Sequence, residues 1–304
     1  MYDLVILGAG PAGLAASAYA LRKGIEFVTV TEALGGKGGE RVSFPGAAEH
    51  RVLRPEQLLA DFRRELEYLA ERHRRGRARQ VVPREGGLVI TVETDDGSHE
   101  IRTRSAVVAT GTRLRRLGVP GELELAGRAL GYSAVSYSHV LHGRDVFIYG
   151  DGRRSVDSAL EVSRHARSVT VLLERVEGFR ELYRHRLQKA NNVTMLDDCS
   201  ISGFGGEDFC RSVRLAYRNG EPREIEADAF FIELQPKPNS EMVADLAELD
   251  EHGFIVVDLW NRTSAPGVFA AGDVTAAGFE QSLVAVGEGV KALISAYSHL
   301  HWGL

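Results

Sequence analysis

The sequence is poor in cysteine, with 2 in 304 residues, Cys199 and Cys210. They have no second Cys or His at a ligand spacing, which excludes a disulfide-stapled scaffold, a metal site and a C-x-x-C redox pair built from them. Both are expected as plain core or strand residues, the usual place of a free thiol. No run of about 18 apolar residues is present, so no membrane-spanning helix is expected. Positive charge is not in excess either: 37 Lys and Arg against 42 Asp and Glu give a formal net charge of -5. A nucleic-acid-binding domain is normally basic, and none is expected. An apolar strand pattern starts at Tyr2, with no basic start and cleavable stretch before it, and the cytoplasm is the expected compartment.

What is abundant is glycine, 33 residues, in a chain that is 44% hydrophobic and 26% charged. At roughly 100–200 residues per domain, the length suits two folded domains. The apolar run Tyr2–Leu7 leads into Gly8-Ala9-Gly10-Pro11-Ala12-Gly13, an alanine-rich Leu14–Lys23 stopped by Gly24, and then Phe27–Thr31. This is strand, glycine turn, helix, strand, a βαβ unit. Residues 56–75 carry a helical pattern, with Leu58, Leu59, Phe62, Leu66 and Leu69 on one face. Arg72, Arg74, Arg75, Arg77 and Arg79 then read as a solvated helix end and loop, or as a patch that steers an acidic partner protein. Leu88–Glu93 and Glu100–Thr103 flank Asp95-Asp96-Gly97 as a hairpin, and Val107-Val108-Ala109-Thr110-Gly111 is a buried strand ending in a turn.

A second strand, glycine turn and helix begins at Asp145, with Gly150-Asp151-Gly152-Arg153-Arg154-Ser155 as the turn and Val169–Leu173 as the next strand. Arg113–Gly121 and Gln235-Pro236-Lys237-Pro238 read as the linkers out and back, after which Gly267–Asp273 resumes the first fold. The expected class is α/β, two Rossmann-like nucleotide-binding domains with the second inserted into the first. Residues 1–115 and 243–304 form one and 116–242 the other.

In the first turn Gly8 makes the tight bend, Gly10 lets backbone N–H groups approach a pyrophosphate, and Gly13 lets helix and strand pack closely. The helix N-terminus then faces the anion. Glu32, nineteen residues after Gly13, ends the second strand where a carboxylate accepts from a ribose hydroxyl. The second turn is degenerate, with Ser155 at the third glycine position. Glu174 and Arg175 end its following strand, and a carboxylate there suits an unphosphorylated ribose. Arg153, Arg154 and Arg175 could still hold a 2′-phosphate, so NADH is only slightly favoured over NADPH, and a turn that binds nothing stays open.

Together, Gly8–Gly13, the Ala109-Thr110-Gly111 strand end, the inserted second nucleotide domain and Gly267–Asp273 resemble the low-molecular-weight thioredoxin reductase family of FAD flavoproteins, the class II pyridine nucleotide-disulfide oxidoreductases. The resemblance implies FAD in the first site, with Glu32 at the adenosine ribose, Gly36 and Lys37 near the flavin, Gly272 and Asp273 at the ribityl and pyrophosphate region, and Gln281 and Ser282 against the flavin ring. It also implies NAD(P)H in the inserted domain and a homodimer.

One departure bears on the chemistry. Counted back from Gly143-Arg144-Asp145-Val146, the family's redox C-x-x-C falls on Ser133-Ala134-Val135-Ser136, and its acidic proton donor on Tyr137. A serine hydroxyl cannot cycle between thiol and disulfide. The expected activity is therefore an FAD-dependent oxidoreductase between NAD(P)H and a protein or small acceptor, similar to ferredoxin/flavodoxin reductases, with an acidic electron-transfer protein as a candidate partner. The alternatives are a diflavin relative with a second FAD in place of nicotinamide, and a flavin redox sensor that turns nothing over. Tyr137 and His139 are candidates to gate or protonate an acceptor, or are packing residues. The tail Ser298–Leu304 reads as a frayed terminus or dimer contact, or as an aromatic cover for the flavin.

Overall fold

Aliphatic side chains on both faces bury Tyr2–Leu7 as β1 in the middle of a sheet, with Leu4, Val5, Ile6 and Leu7 fully inaccessible. The computed structural model describes residues 1–39, 42–46, 60–62, 64, 72–174, 180–218, 220–278 and 280–303. Helix α1, Pro11–Arg22, follows β1. Proline at its first position sacrifices no helical hydrogen bond. The buried face is alanine and glycine, small enough for the helix to lie close on the sheet, and Gly24 at φ +67° turns the chain out of it. Strand β2, Phe27–Thr31, is buried throughout and pairs parallel with β1.

The expected helix over 56–75 does not reach its end. Residues 60–62 and 64 are helical and Leu58, Leu59, Leu66 and Leu69 lie outside the described residues, but His73–Arg75 is a strand, β3, parallel to β2. Gly76 separates it from β4, Arg77–Arg84. The arginine cluster is thus not a helix end and loop. Arg75 at the end of β3 and Arg77 and Arg79 in β4 are exposed, while Ala78 and Val81 point into the core, a bulge after Ala78 shifting the alternation of β4 by one residue. Strands β5, Gly87–Thr94, and β6, Gly97–Val108, form the expected hairpin, and the order across the sheet is β3-β2-β1-β6-β5-β4.

The chain leaves this unit through β7, Thr112–Arg113. The second unit opens with the one-turn helix α2, Glu122–Leu125. Glu122 is fully buried yet satisfied, accepting from the Leu117 and Gly118 N–H groups and the Tyr132 hydroxyl. There follow β8 (Leu130–Gly131), β9 (Asp145–Gly150), α3 (Arg153–Val162), β10 (Ser168–Leu173), α4 (Arg180–Leu187) and β11 (Val193–Leu196). An antiparallel sheet of β12 (Cys199–Gly205), β13 (Ser212–Tyr217) and β14 (Arg223–Glu226) precedes β15, Ala229–Glu233. The parallel sheet runs β11-β10-β9-β15-β8, and Leu130, Phe147, Ile148, Phe230 and Phe231 fill its core. Each such side chain removed from water contributes roughly 1.5–3 kcal/mol. Cys199 begins β12, and burial pushes the Cys210 thiol up to about 12, so both are strand or core residues and Cys210 is no nucleophile.

The chain returns through β16, Lys237–Pro238, antiparallel to β7. Strand β17, Val268–Ala270, adds to β6, and the last helix is α5, Ser282–Trp302. Of the described residues, those in Met1–Gly39, Arg51–Arg113 and Lys237–Leu304 form one unit and those in Glu40–His50 and Leu114–Pro236 the other. The divisions therefore fall beside the β7–β16 ribbon rather than at 115 and 243. Residues 42–46 join the second unit because the Ser43 N–H donates to Gly127 and Phe44 packs on Tyr137 and Phe231. The tail is not frayed: α5 continues to Trp302, whose ring packs on Tyr297. No helix among the described residues is long and apolar enough to cross a membrane.

Candidate dinucleotide sites

In the first unit, β1, the glycine turn and α1 come together as the spacing predicts. An ideal Cβ on Gly8, at φ +98°, would stand 2.3 Å from the Ala109 carbonyl oxygen, and one on Gly13 would stand 1.9 Å from the Gly8 carbonyl oxygen. Gly10 is different: its nearest neighbour would be the Gly36 Cα at 4.0 Å, so its open side faces space rather than protein. Gly10 caps α1 without a side-chain hydrogen bond, Pro11 and Ala12 follow it, and no acid occupies the first turn. The free N–H groups and the positive end of the helix suit a pyrophosphate, and the absent Cβ at Gly10 leaves the room it needs. Residues present here therefore fit FAD.

The remaining first-site residues gather at the same end of the sheet, where the strand C-termini of an open α/β sheet bind ligands. Glu32 follows β2 and is exposed, with its carboxylate in no ion pair among the described residues. Ala109, Thr110 and Gly111 follow β6, and the Thr110 hydroxyl donates to the Asn239 carbonyl at 2.5 Å while Asn239 Nδ2 donates back to the Thr110 carbonyl at 3.0 Å. Gly272 and Asp273 follow β17, and Gln281 and Ser282 start α5. Gly36 and Lys37 lie in a short turn whose Lys37 Nζ reaches Asp273 at 3.0 Å, Glu280 at 3.4 Å and the Thr112 hydroxyl. Glu280 and Thr112 are not legible in the sequence as site residues, because that ammonium joins positions 37, 112, 273 and 280, which share no local pattern.

In the second unit, β9 ends at Gly150, Gly152 caps α3, and Arg153, Arg154 and Ser155 form its first turn. Ser155 does what a third glycine does elsewhere: its Oγ occupies the place a Cβ on Gly150 would take, 2.1 Å from it, and donates to the Gly152 carbonyl. Asp151 is held by Arg115 at 2.5 Å and by the Gln235 N–H at 3.0 Å. The two arginines are engaged within the unit: Arg153 pairs with Asp157 at 3.2 Å, and Arg154 with the buried Glu233 at 2.9 Å. Glu174 is exposed just past β10, and its N–H donates to Gly150. Beside it, burial first and then the Glu174 charge push the Tyr149 hydroxyl up to about 12. Arg175 lies outside the described residues.

The loop after β8 carries Ser133 and Ser136, whose hydroxyls hydrogen-bond each other at 3.0 Å. The Ala134 N–H between them donates to Glu233 at 2.7 Å. Tyr137 has a packing role: its hydroxyl oxygen accepts the Val42 N–H at 2.9 Å and its ring stacks on Phe231. His139 is exposed on the same turn. The tail does not cover this chain's first site. His299 packs on Phe269 and lies seventeen residues along α5 from Ser282, about 25 Å at the helical rise.

Two dinucleotide turns on two parallel sheets, one nested in the other along the chain, define a protein of two Rossmann-like units. The pyridine nucleotide-disulphide oxidoreductase family matches residues 2–289, and the chain belongs to that family. The family binds FAD and NAD(P)H. Thioredoxin reductase from Streptococcus pyogenes superimposes with a TM-score of 0.86 at 28% identity, over 99% of this chain and 98% of that one. An alkyl hydroperoxide reductase component from Pseudomonas aeruginosa is 31% identical over 98% of this chain and 58% of its own length. A Ferdinandcohnia aciditolerans protein named NADH dehydrogenase is 28% identical over 98% of this chain and 57% of its own. The chain thus spans a little over half the length of these curated relatives.

Proposed function

We propose that this chain is an FAD-dependent oxidoreductase that passes electrons between NAD(P)H, with NADH slightly favoured, and a protein or small-molecule acceptor, without a redox-active disulfide and not as a classical thioredoxin reductase. The observation that carries the reading is the Ser133–Ser136 hydroxyl pair, 3.0 Å apart where the resemblance puts the disulfide. Relatives named NADH dehydrogenase support nicotinamide as the electron donor. FAD supplies the exchange between a two-electron nicotinamide and an acceptor; the chain positions and tunes it.

Two partners belong to the proposal. A second copy suits α5 and the loop beside it, where Leu283, Ile294, Trp302, Leu259 and Trp260 are exposed and apolar. An acidic electron-transfer protein such as ferredoxin or flavodoxin suits the arginines of β3 and β4 and Arg72 just before them, although Arg79 is already paired with Glu93 and Arg72 with Glu26.

Anaerobic titration with NADH and then NADPH, with flavins counted per chain, tests the reading. Bleaching of one flavin per chain, at lower NADH than NADPH, is expected. Two flavins and no bleaching would replace it with the diflavin reading, and bleaching without dye or ferredoxin turnover with the sensor reading. A gain-of-function variant probes the missing disulfide. Ser133→Cys with Ser136→Cys is expected to close a disulfide on oxidation, since a bond of about 2.05 Å needs only a small approach from the present hydroxyl spacing. Thiol titration should then show two thiols per chain fewer than in the reduced variant, and NADH should restore them.

A further inference from the structure

Glu288 lies on α5, seven residues from Gln281, and its side chain reaches back to the end of β17, where it accepts the Gly272 N–H at 2.7 Å. Both glycines beside this contact press on the start of α1. An ideal Cβ on Gly272 would stand 3.0 Å from the Ala12 Cβ, and one on Gly289 would stand 2.1 Å from the Ala12 carbonyl oxygen. Ala12 is the second residue of α1, so an acid stands next to the helix end whose amides suit a pyrophosphate. The charges facing it are Asp273, which repels, and Lys291, which attracts; α1 brings no acid in its first turn and β17 carries no charge. Burial above all holds the Glu288 carboxyl above the usual range, against the pull of the Gly272 N–H and Lys291.

We infer that Glu288 is a positioning residue for FAD: it holds the Gly272–Asp273 turn through one hydrogen bond, and its negative charge opposes the pyrophosphate, so the cofactor is gripped more tightly when Glu288 carries a proton. A carboxylic acid keeps a carbonyl oxygen for the Gly272 N–H and removes the repulsion. The sign follows from linkage: the bound dianion raises the proton affinity of Glu288 further, so the FAD-loaded protein holds more protons than the empty one. Affinity is highest below the Glu288 titration and falls as pH rises through it. Each unit by which FAD raises that pKa corresponds to about tenfold in FAD affinity.

The test follows release of FAD from the holoprotein by the rise in free-flavin fluorescence, between about pH 5 and 8.5. Wild type is expected to release FAD about tenfold faster at the alkaline end. Glu288→Gln keeps the acceptor and loses the charge, so its release stays slow and flat with pH. Glu288→Ala loses both, so its release is fast and flat. A wild-type slope retained in Glu288→Gln would place the titration elsewhere and overturn the inference; so would a flat wild-type profile. If the alanine variant does not fold, the glutamine comparison alone decides.

Discussion

Alanine at Gly13 is expected to leave the purified protein almost free of flavin. The added Cβ would stand 1.9 Å from the Gly8 carbonyl oxygen and 2.8 Å from its carbon, and these are backbone atoms that cannot swing aside. Helix α1 would have to move off β1 by about 1.5 Å to restore contact distances. Overpacking of this kind costs roughly 1–3 kcal/mol of stability. The cofactor suffers more, because the same shift carries the α1 amides away from the pyrophosphate. Hydrogen bonds to a charged group contribute roughly 1.5–3 kcal/mol each, so losing two weakens FAD by about a hundredfold or more. Gly10→Ala separates the two effects. Its Cβ meets only the Gly36 Cα at 4.0 Å, so it should melt like wild type yet bind flavin weakly by crowding the ligand's side of the turn. The flavin-to-protein absorbance ratio and a thermal melt read both variants. Full flavin in Gly13→Ala would mean that the turn does not seat the dinucleotide.

These glycines are legible because each serves a local constraint of backbone against backbone, which fixes residue type and spacing together. The βαβ order, the hairpin and the second glycine turn follow from the same short-range rules. The errors come from places where two periods compete. Residues 56–75 contain enough leucines to read as a helix, yet Arg75, Arg77 and Arg79 already alternate as a strand does, and the pairing of Arg75 with Thr31 decides the matter across more than forty residues of chain. The antiparallel sheet β12–β14 has weak alternation, with Gly203 and Gly205 inside its first strand, and local pattern does not announce it.

The sites divide in the same way. Ser155 reads as a lapse in the second turn, but its hydroxyl bonds the Gly152 carbonyl and packs where a Cβ on Gly150 would be, so the close approach of helix and strand survives the substitution. Resemblance alone puts Lys37 near the flavin, while its partners Asp273 and Glu280 come from 236 and 243 residues further on. Glu233 and Glu288 carry no signal in the sequence. Each is an acid on a strand or helix whose meaning depends on partners from elsewhere in its unit, the Ala134 N–H and Arg154 for the first and the Gly272 N–H for the second.

Glu174→Arg is expected to move the nucleotide preference from NADH toward NADPH by about tenfold to a hundredfold in the ratio of kcat/KM values. Glu174 stands exposed past β10, with its N–H on the Gly150 carbonyl, and so lies beside the second glycine turn where the adenosine ribose of a dinucleotide belongs. A carboxylate there accepts from a ribose hydroxyl and repels a 2′-phosphate. Of the other described cations of this turn, Arg153 makes an exposed pair with Asp157, and Arg154 is committed to Glu233, which is 1% exposed and would be left as an uncompensated buried charge if the arginine swung away. A new arginine at 174 therefore removes a repulsion and adds a charge-assisted hydrogen bond, roughly 1.5–3 kcal/mol in favour of the phosphorylated nucleotide. The change should fall mainly on KM, because the 2′ position is remote from the reacting ring and binds substrate and transition state alike. Steady-state oxidation of both nucleotides with a dye acceptor measures it. Unchanged Michaelis constants for both would mean that Glu174 does not meet the ribose.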